Sequence, residues 1–418
     1  MLNLKYWLYC SLTLVAIVLA LIFAPGLPPY DAEFTAYELP PTKKLLGALS
    51  LNEKLDGAER LFENLIKGPE SLAYDDGILY TGVHGGLVLK IIDDKLIPFV
   101  KFGKSCEGIH QEHICGRPLG LHLDPSSKDL YVADAYYGLF KVNTTTGTVS
   151  QLVRPDTLIE GKTAKLFNSL LVASDGSVYW TDSDSNFDLK NLAYSMLADG
   201  SGRLIKYNPQ DGTNTVLMNG ISFANGVALA KDESFILVAE TMKFRVLRYY
   251  LKGAKKGSFD VFADGLPGSP DNLRSDENGD FYVGLVMARD DQLTPAFMRN
   301  MGRYPLIRKL IARLLATTQS ALELIDRNWP HNMLQKAIHS IGHCETLLNV
   351  FPQIKRVSII KFNKNGDIID SLHSTDGRIS GICEVQFVGE YAYLASPFNH
   401  YLARVNLQPT KKQTNRLN

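Results

Sequence analysis

Asp129-Leu130-Tyr131-Val132-Ala133-Asp134-Ala135-Tyr136-Tyr137-Gly138-Leu139-Phe140-Lys141-Val142 contains one strand, a small-residue break, and a second strand with a basic residue near its end. The unit recurs. Its first strand has counterparts at Gly77-Ile78-Leu79-Tyr80, Ser177-Val178-Tyr179-Trp180, Phe235-Ile236-Leu237-Val238, Asp280-Phe281-Tyr282-Val283 and Tyr391-Ala392-Tyr393-Leu394. Second strands follow at Arg203-Leu204-Ile205-Lys206-Tyr207, Arg245-Val246-Leu247-Arg248-Tyr249 and Tyr401-Leu402-Ala403-Arg404-Val405. The first five centres lie about 45 to 60 residues apart, the length of a four-stranded blade with its loops. This predicts an all-β fold, a six-bladed β-propeller over residues 56–409; the alternative, a β-sandwich of hairpins, needs no such period. An unpaired last edge invites aggregation, so the segment Glu59-Arg60-Leu61-Phe62 is expected to complete the final blade.

Before the sixth copy the spacing doubles. Residues from about 293 to 351 carry a different pattern, with Leu306, Ile307, Leu310, Ile311, Leu314 and Leu315 at helical spacing, interrupted by Arg308, Lys309 and Arg313. An amphipathic helical insertion is predicted there. Three uses stay open: a lid over the propeller mouth, a basic membrane-facing helix, or a helix packed on a blade.

The N-terminus divides into a short segment, 1–5, an uncharged stretch from Tyr6 to Ala24, and a Pro-containing linker over 25–55. At about 1.5 Å per residue that stretch is long enough to cross most of a bilayer's hydrocarbon core. A cleaved signal peptide is the rival, but Ile22 takes a position that cleavage after Ala24 reserves for a small residue, and Pro25 follows the bond. A signal anchor is expected. Lys5 precedes the span while Asp31 and Glu33 follow it, which puts residues 1–5 in the cytosol and the propeller on the lumenal or extracellular side, the type II arrangement. The membrane is either the plasma membrane or the endoplasmic reticulum. Residues 410–418 form a polar tail.

The formal net charge is +0, with 44 basic and 44 acidic residues, which removes the electrostatic basis for nucleic-acid binding. Five cysteines are too few for a disulfide-built scaffold. Cys106 and Cys115 flank a polar, His-rich loop that a disulfide would close in an oxidising compartment; the alternative is two unpaired thiols. Cys10 lies in the apolar run. Asn143-Thr144-Thr145 is a glycosylation acceptor.

Four loops, each just before a blade's strand pair, carry an oxygen-bearing residue beside Gly, Pro or another small residue. They are Gly68-Pro69-Glu70, Phe167-Asn168-Ser169, Phe223-Ala224-Asn225-Gly226 and Ser269-Pro270-Asp271-Asn272. In a propeller such loops converge at one mouth of the channel. Two acids and three amides are hard oxygen donors, suited to one Ca²⁺ rather than to Zn²⁺ or copper. Taken singly, Asn-Gly and Pro-Asp-Asn are also ordinary turns.

Together with Cys115-Gly116-Arg117-Pro118-Leu119-Gly120, Val132-Ala133-Asp134-Ala135-Tyr136-Tyr137-Gly138-Leu139 and Phe223-Ala224-Asn225-Gly226-Val227-Ala228-Leu229, the Pro-Asp-Asn run resembles the strictosidine synthase-like family. The resemblance extends from the anchor to the last blade. Its relatives include the paraoxonases and gluconolactonase-type enzymes, which implies that Glu70, Asn168, Asn225, Asp271 and Asn272 hold one calcium in the channel. Paraoxonases have acidic residues where this chain has Ser71 and Ser169, so the resemblance does not extend to their second, structural calcium. Their catalytic His pair is also replaced, by Leu119 and by residues near Asp134-Ala135. Strictosidine synthases use a Glu before the last blade's strand, which Glu384 matches; the condensation they catalyse needs an aryl-amine pocket as well and is not carried over.

Two functions follow. The first is a membrane-anchored, calcium-dependent hydrolase acting on small aryl esters or lactones, with Glu70 orienting water and Glu384 as the weaker acid/base candidate. The second is a non-catalytic, calcium-stabilised propeller that binds protein at the cell surface. No Gly-x-Ser-x-Gly elbow is present. His84, His110, His113 and His122 are further candidate bases, and each also reads as an ordinary loop or strand residue.

Overall fold

A computed structural model of the chain describes residues 2–291, 299–343 and 355–408. Parts of the expected insertion and the 410–418 tail lie outside the described residues. Helix α1 is Leu2–Phe23, and strand β1 is Glu59–Leu61. Blade one is β2 (Leu72–Asp75), β3 (Ile78–Val83), β4 (Leu87–Ile92) and β5 (Lys95–Lys101). After a short helix α2 (Glu112–Cys115), blade two is β6 (Pro118–Leu123), β7 (Leu130–Asp134), β8 (Gly138–Val142) and β9 (Val149–Val153). Blade three is β10 (Phe167–Val172), β11 (Val178–Asp182), β12 (Gly202–Tyr207) and β13 (Asn214–Ile221), with α3 (Leu192–Leu197) between β11 and β12. Blade four is β14 (Ala224–Leu229), β15 (Phe235–Glu240), β16 (Arg245–Tyr250) and β17 (Phe259–Ala263).

Blade five starts with β18 (Gly268–Ser275) and β19 (Phe281–Ala288), and resumes after α4 (Pro305–Asn328) and α5 (Asn332–Gly342) with β20 (Val357–Phe362) and β21 (Ile368–Ser374). The insertion thus splits blade five rather than standing between two complete blades. Blade six joins β22 (Glu384–Val388), β23 (Tyr391–Ala395) and β24 (Leu402–Asn406) to β1, in register Glu59↔Arg404 to Leu61↔Leu402. The expected closing strand therefore closes the ring.

Each blade buries both faces against its neighbours, which explains strands that are apolar almost throughout, such as Leu130–Asp134. One core, with Ala228, Leu237, Leu273 and Ile360, lies between blades four and five. Another, with Leu72, Leu79, Ala395 and Leu402, lies between blades six and one, and Leu61 packs against its edge. Ring closure is thereby hydrophobic as well as hydrogen-bonded.

The starts of the inner strands and the ends of the second strands emerge at the same end of an antiparallel blade. The linker, α2, α3, α4 and α5 all belong to this mouth. Residue 308 shows why: Arg308, 1% exposed, donates to the Leu197 carbonyl at 2.7 Å, contacts Asp199 and the Thr35 carbonyl, and lies over the Tyr37 ring. Linker, blade three and insertion are stitched together by one guanidinium. The buried side of α4 is Arg308, Ala312, Ala316 and Gln319, so the basic residue that interrupts the leucine pattern is the one that packs, while Leu306, Ile307 and Leu314 are exposed. Cys106 and Cys115 form a disulfide, with 5.5 Å between their Cα atoms. Asn143 is exposed in the β8–β9 turn.

Breaking the closing ladder tests its contribution. The double substitution Arg60→Pro and Leu61→Pro removes ladder donors from β1 and should cost roughly a few kcal/mol, seen as a lower Tm and earlier aggregation. An unchanged Tm would show that the ring holds without this strand.

Candidate metal centre and active site

Three of the six inner strands carry a β-bulge at the predicted oxygen residues. Register shifts fall between Phe167 and Leu170, between Ala224 and Val227, and between Pro270 and Leu273, enclosing Asn168, Asn225, and the pair Asp271-Asn272. A bulge adds a residue and re-aims its side chain, so residues that alternation alone would distribute between blade faces are turned toward the channel. Phe223, with φ 63°, sets the left-handed corner that leads into the second of these bulges. Neighbouring inner strands also come very close. A Cβ on Gly226 would lie 2.4 Å from the Asp271 carbonyl oxygen and the Leu273 nitrogen, and one on Gly120 would lie 2.4 Å from the Asn168 carbonyl oxygen. Glycine is required at both positions.

All five predicted residues are buried, at 3% to 5% exposure. Glu70 Oε2, Asn168 Oδ1, Asn225 Oδ1 and Asp271 Oδ1 have no hydrogen-bond partner. Contacts join them around the channel: Asn168 Nδ2 donates to Ser183 Oγ at 2.9 Å, and Ser183 donates to the Ala224 carbonyl beside Asn225 at 2.7 Å. Asn272 differs from the other four. Its Nδ2 donates to Glu70 Oε1 at 3.1 Å and to Glu384 Oε2 at 3.2 Å, so its amide group ties two carboxylates together.

Burial without water raises both acids. Asp271 is pushed up to about 7 by burial, with Glu384 adding to the effect and the hydrogen-bonded Asn225 amide opposing it. Burial also drives Glu70 well above the usual carboxylate range, helped by the charges of Asp271 and Glu384 and opposed by Arg117 and Asn272. Two unsatisfied acids and two unsatisfied amide oxygens are what a hard divalent cation would complete. The donor set fits calcium. Among the described residues no cluster of three or more His, Cys, Asp or Glu side chains has metal-binding geometry, so the centre depends on its amides.

Glu384 occupies a different situation from Glu70. Arg274 donates to its Oε1, and its Oε2 accepts from the Leu72 nitrogen and from Asn272, both at 3.2 Å. Burial raises its pKa while Arg274 pulls it down. Both oxygens are engaged in holding neighbouring blades. Ser71 and Ser169 do similar work: Ser71 Oγ accepts from the Leu121 nitrogen, and Ser169 Oγ from the Val227 nitrogen.

On the mouth side of the oxygens stands an apolar wall of Leu119, Ala135, Leu166 and Phe223, with Tyr136 and Met242 against it. Leu166 and Phe223 each precede a bulge amide by two residues, and Leu119 sits where paraoxonases have a histidine. Beside it is a buried cluster of which sequence reasoning singled out only His84. His84 Nδ1 lies 2.6 Å from Glu112 Oε1, and Arg117 Nε lies 3.6 Å from the same oxygen. Burial and the Arg117 charge hold His84 below its ordinary value; Glu112, despite burial, is held low by His84 and Arg117. Arg117 also donates to the Gly68 carbonyl at 2.8 Å, fixing the turn before Glu70.

The other histidines lie elsewhere. His110 and His113 line a cavity of about 270 Å³ beneath the insertion, with Gln319, Glu323 and His339, and no channel oxygen residue borders it. His122, which burial and Arg274 push down to about 4, borders a cavity of about 230 Å³ at the far end of the channel.

Comparison with known proteins gives the family and the fold. The family described as Strictosidine synthase matches residues 168–254, and Strictosidine synthase-like, N-terminal, matches residues 47–91. The chain is 41% identical over 401 residues to the Adipocyte plasma membrane-associated protein Hemomucin of Drosophila melanogaster, covering 95% of this chain and 69% of that one. It is 34% identical over 385 residues to the Adipocyte plasma membrane-associated protein of Homo sapiens, covering 91% of this chain and 84% of the relative. A gluconolactonase from Xanthomonas campestris shares the fold, with TM-score 0.52 at 13% identity over 92% of this chain and 99% of that one. The chain therefore belongs to the adipocyte plasma membrane-associated proteins, within the strictosidine synthase-like propellers.

Proposed function

We propose that the protein is a membrane-anchored, calcium-dependent hydrolase of small aryl esters or lactones. The observation that carries the reading is the set of four buried oxygens without partners, from Glu70, Asn168, Asn225 and Asp271, beneath an apolar wall. These residues would hold the ion, with Asn272 positioning Glu70. When bound, calcium supplies a Lewis acid that polarises the substrate carbonyl.

The chain's own groups do the rest. Leu119, Leu166 and Phe223 bind the acyl or aryl part and exclude water from it. The Glu70 carboxylate, oriented by the Asn272 amide on Oε1, takes a proton from the water that attacks the carbonyl carbon and returns it to the alkoxide or phenoxide that leaves as the acyl C–O bond breaks. Glu384 serves as a positioning residue for Asn272 rather than as the acid, because Arg274, Leu72 and Asn272 engage its oxygens. A second reading, a non-catalytic binding propeller, is favoured by the family resemblance, which implies that Leu119 and residues near Asp134-Ala135 replace the paraoxonase histidine pair.

Helix α1 contains a 19-residue stretch, Lys5–Phe23, long and apolar enough to cross a membrane, and no part of it is buried in the protein. We read it as a type II anchor with the propeller lumenal or extracellular, consistent with the Cys106–Cys115 disulfide and the exposed Asn143. The name of the relatives points to the plasma membrane.

Purified full-length protein should hydrolyse aryl esters or lactones, and chelator, Asp271→Ala or Asn225→Ala should each remove most of that activity. Turnover undiminished by all three would refute the calcium mechanism; no turnover with calcium bound would favour the binding propeller.

The pH dependence of stability gives a separate test. The Asp271 pKa rises from 3.8 to about 7 on folding, so its protonated form contributes stability that is complete below the unfolded value and lost as pH rises through about 7. Chelated protein should therefore have a lower Tm at about pH 8 than at about pH 5, and calcium should recover the difference. Asp134 and Asp182, also raised to about 7 by burial, add a calcium-independent slope of the same sign. The readout is the calcium-dependent part, which Asp271→Asn should abolish; identical slopes with and without calcium would contradict the site. For topology, Asn143→Gln should remove one glycosidase-sensitive mass increment from protein made in a secretory system, and an unchanged mass would argue against a lumenal Asn143.

A further inference from the structure

An ordinary surface helix packs its apolar side inward and shows water its polar side. Helix α4 packs Ala312 and Ala316 inward, with Ile311 and Leu315 beside them, yet carries apolar residues on its outer side as well. Arg308, Ala312, Ala316 and Gln319, spaced three or four apart, form the side buried on the propeller. Two residues out of phase, and so on the opposite side of the helix, run Leu306, Leu310, Leu314, Leu324 and Ile325. Exposure along this outer side is large: Leu306 49%, Leu314 53%, Leu324 60% and Ile325 46%, continuing past the helix end to Trp329 at 73% and Met333 at 74%. Exposed apolar side chains at both ends of the helix, Leu306 and Leu314 at one and Leu324 and Ile325 at the other, are costly in water and mark a docking surface.

Its position identifies the occupant. Arg313, on the same helix, donates to the carbonyls of Leu21 at 3.0 Å, Ile22 at 3.2 Å and Ala24 at 2.8 Å, the end of α1. A cation there satisfies carbonyls that have no partner within the helix. The contact also fixes α4 at the level where an anchor formed by α1 leaves the hydrocarbon. Lys309, Arg327 and Lys336 flank the stripe, long cations of the kind that sit at the headgroup level beside an interfacial helix.

We propose that the outer face of α4, with Trp329 and Met333, lies in the surface of the bilayer that α1 enters, so that the mouth of the propeller faces the membrane. This rests on reading α1 as the membrane span. The chain's three tryptophans separate the two ideas: Trp7 lies in α1, Trp180 is fully buried in the blade core, and Trp329 lies at the stripe.

Full-length Trp7→Phe and Trp329→Phe variants are reconstituted into phosphatidylcholine vesicles whose lipid is brominated near the headgroup end of the acyl chains. Both should lose emission relative to unbrominated vesicles, whereas the double variant, reporting Trp180, should not. Leu314→Glu with Leu324→Glu in the Trp7→Phe background should abolish the Trp329 loss. If Trp329→Phe is quenched and Trp7→Phe is not, the anchor stands and the proposal falls, including the case in which a second protein covers the stripe. If Trp7 itself is not quenched, the anchor reading fails and takes the proposal with it. Quenching of Trp329 that survives both glutamates would also overturn the assignment to this face.

Discussion

Glu70 and Asp271 come from blades one and five, and ring closure holds their carboxylates inside one narrow channel where neither finds enough hydrogen bonds to offset its burial. A buried acid without partners costs several kcal/mol or gives up its charge. The surrounding structure makes sense as a response to that constraint. Arg117 and Asn272 offset part of the Glu70 charge, Arg274 neutralises Glu384, and the Asn225 amide reaches Asp271. What these groups leave unsatisfied is one oxygen on each of four residues. The close approach of inner strands at Gly120 and Gly226 keeps the channel narrow enough for this to happen. The site is therefore a consequence of closing the ring, and the β1–β24 ladder, far from the channel axis, is a condition for it.

Most of the scaffold was legible in the chain because a blade repeats. Tyr80, Tyr131, Tyr179 and Tyr282 mark equivalent second strands, and that periodicity located the blades and the need for Glu59–Leu61 to close the last one. Equivalent positions, which the structure places at the starts of the inner strands rather than in loops before them, likewise exposed Asn168, Asn225 and Asp271, with Glu70 just ahead of the first. Their mutual geometry was not legible, because it depends on bulges that Asn-Ser, Asn-Gly and Asp-Asn share with ordinary turns. Asn272 illustrates the limit: its residue type allows a ligand oxygen, but nothing in the sequence shows that its Nδ2 also ties Glu70 to Glu384.

Two features escaped for different reasons. The His84, Glu112 and Arg117 cluster joins a strand end, a disulfide loop and an inner-strand entry, with no spacing rule relating the three. Helix α4 was visible by its period, but the period does not say which side is buried. Two small residues, Ala312 and Ala316, let the helix approach α3 closely, and Arg308 found carbonyls and Asp199 in the gap. Leu306, Leu314 and Leu324 were left outside. Linker, insertion and the end of α1 thus gather at one mouth, which gives the propeller a fixed attitude to whatever α1 enters.

The account stands or falls on whether the channel oxygens bind one ion. Calcium titrated calorimetrically into chelator-stripped full-length protein should show a single site per chain, lost when Asp271→Ala and Asn225→Ala are combined, with the propeller still folded by circular dichroism. Absence of binding to the unaltered chain, or equal binding by the folded double variant, would contradict it.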